Sequence, residues 1–299
     1  MDDSTRREID KIVKRTLREA GILKPPVQVA VLIEHLNLYR DFYDLEDPSI
    51  LQRVRHKVRV HGRKLVEVAR KITLHAVWLT DDRRILIDQS LPTPKRRWAS
   101  YHEVTHSLLP WHRDFFLGDT AQTLDPYYQE ALEAEANYGA SGLMFCGDRF
   151  THEALDLPPE WNSISILKKR YAASFPTTLR RFVEHSHDLA MAMAIVTPPW
   201  EPLPEGQQSP CRHFATSPRF LREFGSVDAS PIINHIRENV EVRRGGPVGD
   251  FSLSIPDRNG DPWSFHVECF YNRYDILALI VCHQEQSKKI VIPSRGSPF

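Results

Sequence analysis

The sequence has no long apolar run, no excess of charge and few cysteines, and each lack removes a class of protein. Its longest apolar stretch, Leu189 to Val196, is eight residues, against the roughly 20 that a helix needs to cross a bilayer. The first twenty residues, Met1 to Ala20, are charged throughout and hold no apolar core of a signal peptide. Basic and acidic residues number 39 each, for a formal net charge of zero, so no global field draws the chain to nucleic acid or an anionic membrane. Cys146, Cys211, Cys269 and Cys282 form no CxxC pair, which argues against a zinc knuckle or a redox motif. The expectation is a soluble, cytosolic chain with no membrane partner, and its 299 residues leave room for two domains.

What the chain does contain is His102-Glu103-Val104-Thr105-His106, an HExxH arrangement. On a helix, histidines four apart lie on one face about one turn apart. Both imidazoles can then reach one zinc, leaving positions for a third protein ligand and a water. Glu103 is placed to take a proton from that water as its general base. Fourteen histidines make a chance HExxH expected in roughly a few per cent of such chains, as a solvated surface helix. The flanks favour a packed helix instead. Thr93 reads as the N-cap and Pro94 suits the first turn; Trp98, Tyr101, Thr105 and Leu108 form an apolar stripe; Pro110 ends the element.

Two residues compete as third ligand. His112 lies ten residues after His102, where the extended HExxHxxGxxH motif has its third histidine, but Leu109-Pro110 stands where that motif needs a turning glycine. The alanine-rich run Glu130 to Asn137 is strongly helical, with Glu130, Glu133 and Asn137 on one face at i, i+3 and i+7. Glu133 is favoured, and an exposed acidic face suits Glu130 or Glu135 better. Tyr101, Tyr138 and His112 are the candidates for stabilising an oxyanion.

With these residues on the page, the stretch Ile85 to Phe150 resembles the ImmA/IrrE (DUF955) metallo-endopeptidases. The family pattern of a strand, a short Pro/Arg-containing loop and the HExxH helix matches Ile85-Leu86-Ile87-Asp88, Arg96-Arg97-Trp98 and His102 to His106. Its second-helix pattern matches Glu133-Ala134-Glu135-Ala136-Asn137-Tyr138-Gly139-Ala140, followed by Leu143-Met144. The resemblance implies that Glu133 is the third ligand. It further implies a regulatory protease, with Zn2+ or alternatively Mn2+, that cleaves a helix-turn-helix repressor or acts beside an antitoxin-like partner. The chain departs from the family in Phe145-Cys146, where proline is common, and in a longer connection from Trp111 to Gln129. Neither touches a ligand. In that connection Asp114-Phe115-Phe116 and Tyr127-Tyr128 could line the cleft, although packing suits the aromatics better.

Elsewhere the pattern predicts an amphipathic helix over Arg6 to Glu19, a break at Lys24-Pro25-Pro26-Val27 and a helix to about Leu36. Residues 52–71 are basic and fit a solvated helix face better than a binding patch. Leu74 to Thr80 and Arg84 to Asp88 read as a hairpin around Asp81-Asp82-Arg83. Its second strand, with Ile85, Leu86 and Ile87, is expected to bind substrate as an edge strand by β-augmentation. Ser165 to His185 reads as helix, turn, helix, with Ser174 as cap and Pro176 in the first turn. Lys168, Lys169, Arg170, Arg180 and Arg181 make it basic, but no base-reading cluster opens its second helix, so DNA binding is the less favoured reading. His185 and His187 are read as incidental.

Strands are expected at Leu189 to Val196, Phe251 to Ile255, Trp263 to Tyr271 and Ile276 to His283, with a helix from Ser230 to Val242 and a loop through the five prolines of 197–210. The expected fold is α+β: a zincin-like metallopeptidase domain with a small antiparallel sheet over 1–162, a helix-turn-helix-like hairpin over 163–187, and a β-rich part over 188–299, sensory or structural. Two rival readings are a non-catalytic DNA-binding or ligand-sensing regulator with a residual metal site, and a toxin-like or scaffold protein that only binds its partner.

Overall fold

The computed structural model describes residues 1–43, 76–79, 83–112, 126–204 and 206–285. The basic stretch 52–71, the hairpin turn at Asp81-Asp82, residues Asp114-Phe115-Phe116 and the side chains of Tyr127 and Tyr128 lie outside the described residues. The fold mixes helices with sheet, as the α+β expectation requires. No described helix is long and apolar enough to cross a membrane. Two compact units divide the chain: residues 1–152 with 169–174, and residues 153–168 with 175–299. The expected hairpin over 163–187 is thus shared between them.

The first unit opens with helix α1 (Asp3–Glu19), whose N-terminus is capped by Asp2 accepting from the Thr5 amide at 2.8 Å. Ile9, Ile12, Val13, Thr16 and Leu17 form its buried stripe. Gly21 closes it with positive φ, its amide donating to Arg18 and that of Ile22 to Leu17. Helix α2 (Val29–His35) follows.

Three strands come next: β1 (Tyr39–Tyr43), β2 (Ala76–Leu79) and β3 (Arg84–Asp88). Their order is β1-β3-β2, with β1 parallel and β2 antiparallel to β3. This corrects two expectations. The sheet is mixed, because Tyr39–Tyr43 pairs where no strand was anticipated. And β3 is the central strand: both its hydrogen-bonding edges are taken, so Ile85, Leu86 and Ile87 cannot add a substrate strand. Ile85 and Ile87 are fully buried, which assigns them to the core.

Asp88 ends β3 by accepting from the amide and hydroxyl of Ser90 at 2.9 and 2.7 Å, an Asx turn that aims the chain into the next helix. Helix α3 spans Thr93–Leu108, with Pro92 rather than Thr93 at the cap position. Arg96, Arg97 and Trp98 therefore sit in its opening turns instead of a loop. Helix α4 (Pro126–Met144) packs across both α3 and α1. Close approach is what small residues permit here. A Cβ on Gly139 would lie 2.5 Å from the Thr105 methyl and 3.3 Å from Ile9, and one on Gly142 would lie 3.3 Å from Val13. Helix α5 (Arg149–Leu155) leads out of this unit, and near its start Phe150 packs edge to face on both Phe145 and Tyr171.

The second unit holds most of α6 (Trp161–Tyr171) and all of α7 (Phe175–His185), β4 (Met191–Val196), β5 (Cys211–Thr216), α8 (Pro218–Phe224), α9 (Ser230–Asn239), β6 (Gly246–Pro256), β7 (Pro262–Tyr271) and β8 (Ile276–Glu285). The five strands form an antiparallel sheet ordered β5-β4-β8-β7-β6. Every residue of β4 is buried, which is why Leu189 to Val196 reads as a continuous apolar run rather than an alternating one. Phe220, Phe224, Ile232, Ile233 and Ile236 from α8 and α9 pack with Ala192, Ala194, Phe265, Val267 and Ile280. Helix α7 buries Thr178, Leu179, Phe182 and Val183 and packs on β4, β5 and β8. At the start of α6 the Trp161 ring stacks with Phe175 and Phe270, and its amide donates to Glu268 at 2.7 Å.

Candidate metal centre

Helix α3 carries His102, Glu103 and His106, and three contacts hold it in place. Arg97 donates to the carbonyls of Val27 and Ala172 at 3.0 and 2.5 Å, and the Tyr101 hydroxyl donates to Val27 at 2.6 Å. Thr105 donates to the Tyr101 carbonyl at 2.8 Å beneath Gly139. Glu103 and His106 are buried and His102 is part-buried, so the motif faces protein and not bulk water.

From α4, the Glu133 carboxylate bridges the two rings. Its Oε2 lies 3.1 Å from His102 Nε2 and its Oε1 3.5 Å from His106 Nε2, while the two Nε2 atoms are 3.1 Å apart. One donor atom from each of the three residues falls within 4.8 Å of the others. A triangle of this size leaves a point roughly 2 Å from each corner, the distance at which zinc takes imidazole nitrogen and carboxylate oxygen. The donor chemistry agrees. The Asn137 amide oxygen lies 3.1 Å from His102 Nδ1; an oxygen only accepts, so Nδ1 carries a proton and Nε2 is the nitrogen turned toward Glu133. Two imidazole nitrogens and a carboxylate converging on one point form a donor set that could hold a metal ion.

Without a metal, the same convergence favours a proton on His102 beside an ionised Glu133. Burial disfavours a charged His102 ring, yet the Glu133 hydrogen bond and the charges of Glu103 and Glu133 together outweigh it and raise its pKa. Burial likewise works against an ionised Glu133, but the hydrogen bonds and charges of His102 and His106 hold its carboxyl well below the usual range.

His112, the rival third ligand, occupies another place. Helix α3 ends at Leu108; Leu109 is extended, and Pro110 starts a new turn through residues 110–112. That turn puts the fully buried His112 behind His106, Nδ1 to Nδ1 at 2.9 Å, on the side away from Glu133. Its Nε2 lies 3.0 Å from Glu135 Oε2, which also accepts from Trp111 Nε1 at 2.6 Å. Burial pushes the pKa of His112 down to about 4, so the ring is neutral. Glu135 is therefore no exposed acidic residue: its side chain is 13% exposed. Glu130 is exposed, as expected.

The candidate oxyanion groups fall away. The Tyr101 hydroxyl is buried against Val27, the Tyr138 hydroxyl donates to Asp10 on α1 at 3.2 Å, and His112 stands behind His106. Sequence reasoning placed Asn137 on the right helical face without a role, although its i+4 spacing from Glu133 was a usable signal. Glu135 had none, because its partners come from a turn that Pro110 creates. None of the four cysteines forms a disulfide, and burial pushes the Cys269 thiol up to about 12, far from a reactive thiolate.

No family model matches this chain, and neither does any curated protein. Among solved structures it is similar to a Mycobacterium tuberculosis transcriptional regulator, with a TM-score of 0.52 at 12% identity over 98% of this chain and 93% of that one. At this identity the likeness is one of fold.

Proposed function

We propose that this chain is a metal-dependent peptide hydrolase of the ImmA/IrrE kind, with zinc its first-choice metal and manganese the alternative. The observation that carries the reading is the convergence of His102, His106 and Glu133 within 4.8 Å, with Glu103 beside the first histidine on the same helix. In this reading His102, His106 and Glu133 would hold the ion, which when bound would supply Lewis acidity toward the scissile carbonyl and a water. Glu103 takes a proton from that water as its oxygen bonds to the carbonyl carbon. Glu103 then delivers the proton to the amide nitrogen as the C–N bond breaks, leaving a free carboxylate and amine. A closed structural site has no use for such a carboxylate and fills all four positions with protein donors.

The substrate class, a helix-turn-helix repressor or antitoxin-like protein, rests on the family resemblance, and so does a cytoplasmic, stress-linked role. Support for the second reading, a non-catalytic regulator, comes from the fold likeness to a transcriptional regulator and the basic α6–α7 pair. Glu103→Gln separates the two. It leaves metal binding intact, lowers peptide turnover by about 10²–10⁴-fold if Glu103 is the general base, and has no effect on a protein that acts by binding alone.

A further inference from the structure

Each sheet has two edge strands, and an edge presents unpaired N–H and C=O groups that another chain can join. Three of the four described edges are short: β1 has five residues, β2 four and β5 six. β1 carries Arg40 and Asp41, and β5 carries Arg212 and a register break against β4 at Ile195/Val196. Shortness, charge and bulges all keep an edge from pairing. β6 has eleven residues and a single charge, Asp250. Its start is occupied and bulged: Glu241 donates to the Val248 carbonyl at 2.7 Å, a Cβ on Gly249 would lie 3.2 Å from the Asn239 carbonyl oxygen, and the register shifts between Pro247 and Gly249. Past that point, among the described residues, β6 is hydrogen-bonded to β7 alone. The open stretch ends at Pro256, which has no N–H to offer.

We propose that β6 is a dimerisation edge, pairing antiparallel with β6 of a second copy of this chain about a two-fold axis through Ser252. The strand is self-complementary. Phe251 and Leu253 are half-buried against the apolar cluster of this unit, while Asp250, Ser252 and Ser254 are exposed on the other face. Residues opposite one another across an antiparallel pair share a face, so a two-fold register that matches the faces centres on a residue. Centred on Ser252, Phe251 meets Leu253 of the second copy, and each covers apolar area that the other leaves open. Asp250 then stands opposite a Ser254 hydroxyl that can donate to it, and no like charges face each other. Centred on Leu253 instead, Asp250 would face Pro256, and Phe251 would face Ile255, which is already buried at 3% exposure. The pairing joins two five-stranded sheets and leaves no long edge open. A strand pair of this length buries less than the roughly 1,200–2,000 Å² of a stable interface, so the association is weak and concentration-dependent. It uses no residue of the metal centre.

The test is sedimentation velocity on the full chain in reductant, from roughly 1 µM to roughly 0.3 mM, the range of weak association. Wild type is expected to sediment as one chain at the dilute end and as two at the concentrated end. Ser252→Lys changes an exposed side chain and sets two ammonium groups against each other at the axis. It is expected to raise the concentration needed for dimerisation by about tenfold or more. Ser252→Glu is expected to do the same, and an equal mixture of the two variants, in which Lys meets Glu, is expected to dimerise at least as tightly as wild type. Amide exchange in wild type over residues 249–255 is expected to slow as concentration rises, and it decides the matter if the variants do not fold. Wild type that stays a single chain over the whole range overturns the proposal. So does a dimer that Ser252→Lys leaves unchanged or tightens, a mixture that fails to recover dimerisation, or exchange at 249–255 that ignores concentration.

Discussion

Glu133 of α4 spans both histidines of α3, with one carboxylate oxygen 3.1 Å from His102 Nε2 and the other 3.5 Å from His106 Nε2. The contacts join residues 31 and 27 positions apart, across a helix crossing where Gly139 of α4 lies against Thr105 of α3. Removing the carboxylate by Glu133→Ala leaves two nitrogens where three donors stood. Zinc affinity should fall by more than the roughly 10–100-fold typical of residues behind the ligands, as read by chelator competition. Unchanged affinity would remove Glu133 from the site.

The helix crossing makes its own prediction. At Gly139 an added Cβ would come within 2.5 Å of the Thr105 methyl, and Thr105 lies between Glu103 and His106. Gly139→Ala should therefore push α4 off α3 and destabilise the fold by about 1–3 kcal/mol, the usual cost of overpacking. It should also weaken zinc binding, although position 139 holds no ligand. Thermal unfolding and chelator competition on the same sample check both halves.

The pH dependence of stability should change with metal loading. In the metal-free protein His102 has a pKa raised above 6.5, so its stabilising contribution is complete below that value and is lost as pH rises through the folded pKa. The lowered pKa of Glu133 contributes above 4.5 and is lost only as pH falls far below it, so it does not alter the neutral range. Zinc needs His102 deprotonated, so its affinity rises over the range in which the metal-free contact fades. The gap in melting temperature between zinc-loaded and metal-free protein should widen from about pH 6 to about pH 8. A gap that narrows contradicts the assignment of His102.

Ile87 tests the corrected role of β3. It is fully buried in a strand paired on both sides, so Ile87→Ala should cost about 2–5 kcal/mol by leaving a cavity. Urea unfolding measures this directly, and a near-neutral result would reopen a surface role for the strand.

How much of this was legible beforehand depends on the range of each signal. The HExxH helix, the Glu133 helix and the strands β4, β6, β7 and β8 are local patterns of period, turn residues and motif, and each forms where expected, although the Glu133 helix and β6 run well beyond the stretches anticipated. The boundary of α3 moved by one position because Pro92 and Thr93 both suit a helix start. Strand β1 went unseen because its neighbour β3 comes from more than 40 residues later, and parallel pairing leaves no hairpin signal. Central or edge position in a sheet is likewise a tertiary fact, and this is why Ile85, Leu86 and Ile87 were misread as a substrate-binding edge. Strand β5 and helix α8 were missed behind a proline-rich loop; β5 has no buried residue to mark an apolar face. At the site, Glu133 could be found from spacing, whereas the partnership of Glu135 with His112 depends on a turn after Leu109 that no periodicity announces.

The most direct measurement of the central claim is cleavage on co-expression. The chain, wild type or Glu103→Gln, is produced with the repressor-like helix-turn-helix protein encoded nearest to it, with and without added zinc. The account predicts discrete repressor fragments with wild type and zinc, and none with Glu103→Gln despite equal zinc content. Intact repressor in every sample, bound equally by both forms, would contradict it and favour a protein that acts by binding.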